Sequence, residues 1–211
     1  MRLVLASHNA KKLAELRAFL GDLAVELVSQ RDLGLAEADE PHVTFIENAL
    51  AKARHAAAEA SCAAMADDSG VCVDELGGAP GVGSAHLAAV PAADLAGLDR
   101  DAQRAVQDRA NNALLLQRLD GIARRGARFV CTLVAVRHAA DPEPLVAVGR
   151  WAGQVLAAPR GEGGFGYDAL MFIPELGQTV AEMTAVVKST HSHRARAMEQ
   201  MRGQLHGAWG L

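Results

Sequence analysis

Aromatic residues are scarce in this chain: five phenylalanines, two tryptophans and one tyrosine among 211 residues. A core with so few rings must be filled by aliphatic side chains and alanine, which favours helices laid on sheets through small residues. Cysteine is scarce too. Cys62, Cys72 and Cys131 are isolated, odd in number and without CxxC spacing, which excludes a disulfide framework and a structural zinc site. No apolar run approaches the length of a membrane span, and the opening "MRLVLASHNAKK" turns polar too early for a secretory signal. An excess of basic charge is also missing, the formal net charge being −4. Non-specific nucleic-acid binding needs a basic face, so neither nucleic acid nor membrane is an expected partner. An anionic ligand would have to be met locally, by a few cations, helix N-termini and a divalent metal. The expectation is a cytoplasmic protein whose apolar half builds a core without staples.

What is present is an alternation of strand and helix patterns. Arg2 to Ser7 has strand length, and the next segment, from Ala10, places Leu13, Leu16, Phe19 and Leu20 at helical spacing with Gly21 as its C′ residue. Val25 to Ser29 alternates as a second strand. "TFIENALAKARHAAAEA" has Thr44 as N-cap, Glu47 completing a capping box, and Phe45, Ile46, Ala49, Leu50, Ala53 and Ala57 as the apolar face. In "AMADDSGVCVDELGGAPGVG" the spacing predicts strands on either side of a corner at Asp67–Gly70, then a Gly/Pro-rich segment to Ser84. A helix is expected from about Arg100 to Leu119, long strands over Arg128–His138 and Leu145–Leu156, a short strand near Leu170–Ile173, and a last helix from about His191 to Leu205. The class is α/β with a mixed sheet, one domain over residues 1–211.

Four segments could carry chemistry. "LVLASHNAKK" runs from strand through polar loop to helix, the geometry in which backbone N–H groups and the helix dipole face an anion. Ser7 and Asn9 add hydrogen bonds there, and Lys11 or Lys12 adds charge. An Asn-capped helix with solvated lysines would have the same pattern. Asp67 and Asp68 are adjacent, so on a regular strand they point to opposite faces and cannot share one metal. Either the strand ends and the pair splays into one site, or one carboxylate acts and the other braces the loop. Oxygen ligands suit Mg²⁺, with Asp39, Glu40 or Glu47 as a further carboxylate; the capping role suffices for Glu47. In "GEGGFGYD", Gly163, Gly164 and Gly166 would let backbone approach a ligand and Phe165 could stack on a planar base, or the loop is a hairpin with its aromatics tucked inward. "KSTHSHRARAM" places Lys188, His193 and Arg194 near a helix start, where cations oppose the dipole.

Taken in order, "SHNAKK", "TFIENALAKA", "ADDSG", "LGGAPG", "GGFGYD" and "KSTHSHR" resemble the Ham1/RdgB-type family of inosine triphosphate pyrophosphatases. The resemblance covers essentially the whole chain. It implies an elongated ITPase-like α/β fold of two lobes sharing a sheet with a central cleft, a homodimer, and Mg²⁺-dependent cleavage of non-canonical purine nucleoside triphosphates (ITP, dITP, XTP) to the monophosphate and pyrophosphate. It implies that Ser7, His8, Asn9, Ala10, Lys11 and Lys12 meet the triphosphate, His8 standing where the family has glycine. Asp68 is then the general base and a metal ligand, Asp67 its neighbour at the metal, and Ser69 a substrate contact. Asp39 and Glu40 share the place of the family's metal-binding glutamates. Phe165, Gly166, Tyr167 and Asp168 match the base-binding loop, and Lys188, His193 and Arg194 the base pocket. Gly83 and His86 stand where the family commonly has an aromatic and an arginine.

The chemistry fits that resemblance. A triphosphate repels hydroxide, so a catalyst must neutralise charge and hold a water in line with the leaving pyrophosphate. Mg²⁺ with Lys12 would do the first and Asp68 the second. Two other readings are a Maf-like pyrophosphatase of pyrimidine or modified nucleotides, and a nucleotide-sensing module that binds without hydrolysis.

Overall fold

The computed structural model describes residues 1–7, 10–21 and 23–211, with residues 10–12 described by their backbone alone. The chain begins with β1 (Arg2–Leu5), α1 (Ala10–Leu20) and β2 (Glu26–Ser29), followed by α2 (Phe45–Ala60) and β3 (Ala63–Val73). Short 3₁₀ turns then lead to α3 (Ala92–Leu95) and α4 (Arg100–Arg118). The long strands β4 (Gly126–Val136) and β5 (Leu145–Val155) come next, then β6 (Met171–Ile173), β7 (Gln178–Thr179), α5 (Ala185–His191) and α6 (His193–Trp209). One seven-stranded sheet runs in the order β2-β1-β3-β4-β5-β6-β7. Strand β1 is parallel to β2 and β3, as helical crossovers require, while β6 is antiparallel to β5 and β7. The expected mixed α/β sheet with flanking helices is thus present.

The chain forms two compact units. One comprises Met1–Ser69, Val130–Arg150 and Ser189–Leu211; the other comprises Gly70–Phe129 and Trp151–Lys188. In the first, pleating divides the strand residues between two layers. Val4, Ala64, Ala66, Val134 and Val136 pack with Ala49, Ala53, Ala56 and Ala57 of α2. Leu3, Leu5, Ala63, Met65, Leu133 and Ala135 pack with Leu16 and Leu20 of α1 and Met198, Met201 and Leu205 of α6. The alanine stripe of α2 replaces the missing rings by bringing helix backbone close to sheet. In the second unit, Trp151 is buried among Val71, Val73, Leu115, Leu119, Phe129 and Leu170.

Several local expectations need correction. Strand β3 does not break at Asp67–Gly70; it is one strand of 11 residues. Asp, Ser and Gly favour turns locally, but an extended backbone already paired in a sheet overrides that preference. Thr44 does cap α2, its Oγ1 accepting the Glu47 N–H at 3.3 Å and donating to the Glu47 carboxylate at 2.6 Å. Ile46, however, is 45% exposed, and Asn48 takes an inward position instead. Gly21 follows α1 without a left-handed φ. The C-terminal helix begins only after Ser192, whose side chain accepts the Ala195 N–H at 3.1 Å. Lys188 therefore lies on the separate helix α5, not at the start of α6.

Candidate active site

The alternation in β3 decides what the two acids can do. Ala64 and Ala66 face α2, so Asp68 does as well; Ala63 and Met65 face α1 and α6, so Asp67 and Ser69 do as well. Both carboxylates are buried, at 3% and 6% exposure, and both belong to the first unit. The splayed-pair expectation fails because the strand continues. The alternative, in which one acid acts and the other braces, fits the geometry.

On the α2 face, Asp68 is surrounded by donors. Its Oδ2 accepts from Asn48 Nδ2 at 3.2 Å and its Oδ1 from the Ser69 N–H at 3.0 Å. Lys52 Nζ lies 3.7 Å from Asp68 Oδ1 and 3.1 Å from Glu40 Oε1. Asn48 also accepts the His42 N–H at 3.0 Å and donates to the His42 carbonyl at 3.2 Å, so one amide ties the loop after Glu40 to the acid. Burial pushes the Asp68 carboxyl above its ordinary range; Lys52 opposes this, and Glu40 and Asp67 add to it. A single ammonium is thus shared by two acids and does not restore Asp68 to a normal carboxylate. Of the two acids expected before α2, Glu40 is the one beside Asp68, and Asp39 is exposed in the same loop.

The opposite face holds a different network. Ser69 Oγ donates to Asp67 Oδ2 at 3.0 Å. Arg194, 7% exposed in the first turn of α6, donates from Nη1 to Glu15 Oε2 of α1 at 2.9 Å. Burial disfavours its charge, but Asp67 and Glu15 outweigh that and hold the guanidinium charged. His193 is buried beside it.

The second unit carries the glycine-rich loop. Asp168 Oδ2 accepts the Phe165 N–H at 3.0 Å and pairs with Lys188 Nζ, and the same ammonium stands 4.6 Å from the Phe165 ring centroid. Phe165 is 38% exposed. Tyr167 is turned inward, its hydroxyl donating to the Ser84 carbonyl at 2.8 Å, and burial raises its pKa. The glycines serve different ends. A Cβ on Gly163 would lie 2.7 Å from the Ala181 carbonyl oxygen, and one on Gly164 would collide with the Asp168 carboxylate. Those two make room for the chain itself. Only Gly166, at φ +60°, has open space beside it. Gly83 and His86 are exposed in a 3₁₀ stretch.

Ser7 follows β1, its N–H donating to the Leu5 carbonyl at 2.9 Å and its carbonyl accepting from Ser29 Oγ at 3.3 Å. His8 and Asn9 lie outside the described residues, as do the side chains of Ala10, Lys11 and Lys12. Among the described residues no three His, Cys, Asp or Glu side chains converge as a metal cluster. Glu40 and Asp68 do meet one common cation, Lys52. Sequence reasoning missed Asn48 and Lys52. Their signal was a polar pair at i and i+4 on an otherwise alanine-rich helix face. It also missed Glu15, which nothing in its own segment marks.

Residues 3–204 match the profile of the Ham1 family. A dITP/XTP pyrophosphatase of Methylibium petroleiphilum is 66% identical over 211 residues, covering 99% of each chain. One of Leptothrix cholodnii is 63% identical with both chains fully covered. The solved structure of a HAM1 protein from Coxiella burnetii superposes with a TM-score of 0.87 at 35% identity, over 99% of this chain and 100% of that one. The chain belongs to the Ham1 family.

Proposed function

We propose that this protein hydrolyses non-canonical purine nucleoside triphosphates, dITP, ITP and XTP, to the nucleoside monophosphate and pyrophosphate. The observation that carries the reading is Asp68: a buried carboxylate, raised in pKa, sharing one lysine with Glu40. That is the environment of a base that must collect a proton near neutral pH. The likeness to relatives named dITP/XTP pyrophosphatases supports the substrate class.

In this reading a water attacks the α-phosphorus, its proton passes to Asp68, and the bond from that phosphorus to the bridging oxygen breaks, pyrophosphate leaving with that oxygen. Glu40 and Asp68 are a hard-oxygen pair suited to Mg²⁺, and their incomplete neutralisation by Lys52 fits a further cation. Bound there, Mg²⁺ would neutralise charge on the triphosphate. Ser7, Asn9 and Lys12, with the backbone of His8, Ala10 and Lys11, hold the phosphates. Phe165 stacks on the base, and Lys188, His193 and Arg194 read it. Asp67 is assigned a bracing role toward Arg194 and Ser69 rather than a place at the metal. Residues 1–211 act as one ITPase-like domain, in a cytoplasmic homodimer.

The test is the phosphorus spectrum of the products from ITP. Inosine monophosphate with pyrophosphate is the expected pair. Inosine diphosphate with orthophosphate would place the cleavage at the wrong anhydride, and binding without products would favour the sensing module.

A further inference from the structure

Helix α4 carries a polar stripe, Gln107, Asp108, Asn111 and Asn112, at the i, i+1, i+4, i+5 spacing that keeps residues on one side of a helix. Two of them fasten the 3₁₀ stretch over Gly81–His86 and the residues just after it. Asn111 Nδ2 donates to the Ser84 and Ala85 carbonyls at 3.3 and 3.1 Å, and its Oδ1 accepts the Ala88 N–H at 2.9 Å. Gln107 donates to the Ala88 carbonyl at 2.8 Å. The other two converge on a single loop residue. Asp108 Oδ2 accepts the Gly166 N–H at 2.8 Å, and Asn112 Nδ2 donates to the Gly166 carbonyl at 2.9 Å.

Gly166 sits in a left-handed conformation immediately after Phe165. On the other side, the Phe165 N–H is held by Asp168. Phe165 is therefore pinned through its backbone on both flanks, while its ring stays 38% exposed. The backbone bonds fix the position from which the ring projects, and Lys188 Nζ stands 4.6 Å from its centroid. Asn112 keeps its bond even though its own Oδ1 is buried without a hydrogen-bond partner.

We propose that Asp108 and Asn112 are positioning residues for nucleobase recognition, clamping Gly166 so that Phe165 and the neighbouring peptide groups present a fixed surface to the purine. The inference rests on the reading of Phe165 as the ring that meets the base. A loop held in one geometry discriminates between bases because a misfit leaves polar groups unpaired, and a loosened loop forgives the misfit.

The experiment combines amide hydrogen exchange on the nucleotide-free protein with steady-state kinetics on ITP and GTP, for wild type, Asp108→Leu, Asn112→Leu and Asp108→Asn. The leucine variants should each speed exchange over residues 164–167, raise KM for ITP about tenfold, the scale of one lost hydrogen bond, change kcat less than about threefold, and narrow the preference for ITP over GTP. Asp108→Asn keeps an acceptor oxygen and should stay near wild type in all four. Faster exchange with unchanged KM and selectivity would overturn the proposal, and so would unchanged exchange. If wild type releases no pyrophosphate from ITP, the proposed function fails by itself, and equilibrium binding of ITP and GTP to the same variants decides the clamp: weaker and less selective ITP binding in the leucine variants supports it, and unchanged binding overturns it.

Discussion

Asp68→Asn is expected to lower kcat for ITP by about 10²–10⁴-fold and to raise the melting temperature of the metal-free protein at neutral pH. The first effect follows from removing the group that takes the proton from water; nucleotide binding should persist, because the residues assigned to the phosphates and the base, Ser7, Asn9, Lys12, Phe165 and Lys188, remain. The second follows from linkage. Burial raises the Asp68 pKa in the fold, so the folded state holds this proton more tightly than the unfolded chain. Its contribution to stability is fully present below the unfolded carboxylate value and is lost as pH rises through the folded one. Above the folded value the ionised group is a net cost that asparagine removes. The gain in melting temperature should therefore shrink toward acid pH, where wild-type Asp68 is itself protonated, and should also shrink when Mg²⁺ stabilises the wild type. Calorimetry across pH with and without metal, beside turnover, checks both halves. A variant with near wild-type kcat removes Asp68 from the chemistry. One that is less stable than wild type at neutral pH contradicts the account of its environment.

Gly149→Ala is expected to unfold the protein at markedly lower urea, by about 3 kcal/mol, at or above the upper end for overpacking. A Cβ at this position in β5 would lie 1.9 Å from the His193 carbonyl oxygen and 2.6 Å from the Ala197 nitrogen. Both are backbone atoms of α6, so no side chain can turn aside. The helix must move, and its first turn carries His193 and Arg194. Arg194 is buried with Glu15 and the Asp67 charge as its partners. Moving the buried guanidinium away from these acids is costly because its charge loses compensation. Gly203→Ala on the exposed side of the same helix meets nothing within 4 Å and should instead stabilise by roughly 0.5–1 kcal/mol, the helix-propensity difference. Similar urea midpoints for the two variants would contradict the close packing of α6 on β5.

The fold was legible where period and punctuation agree. The Thr44 cap, the alanine stripe of α2 and the β-branched runs of β4 and β5 fall where the residue pattern places them. Reading failed where tertiary pairing overrode a local preference. Asp67-Asp68-Ser69-Gly70 has turn composition, yet sheet pairing keeps it extended, and this one difference separates two acids that a corner would have joined. The break between α5 and α6 was missed because its only mark is Ser192, a cap without a glutamate or glutamine three residues on. Within the site, Asp68 and Glu40 stand out as acids beside turn-like segments, but their shared lysine does not. Lys52 reads as one more solvated cation until α2 is laid on the strand whose even-numbered residues face it. Asp108 and Asn112 are invisible for the same reason: their partner is the backbone of a glycine 54 or more positions away.

The central claim is selective pyrophosphohydrolysis at a site that needs a divalent metal. The measurement that bears on it most directly is steady-state pyrophosphate release from ITP, XTP, GTP, ATP and dTTP, each with Mg²⁺ and with chelator. The account predicts turnover of ITP and XTP far above GTP, ATP and dTTP, abolished by chelation. Comparable or pyrimidine-biased turnover, or turnover that survives the chelator, would contradict it.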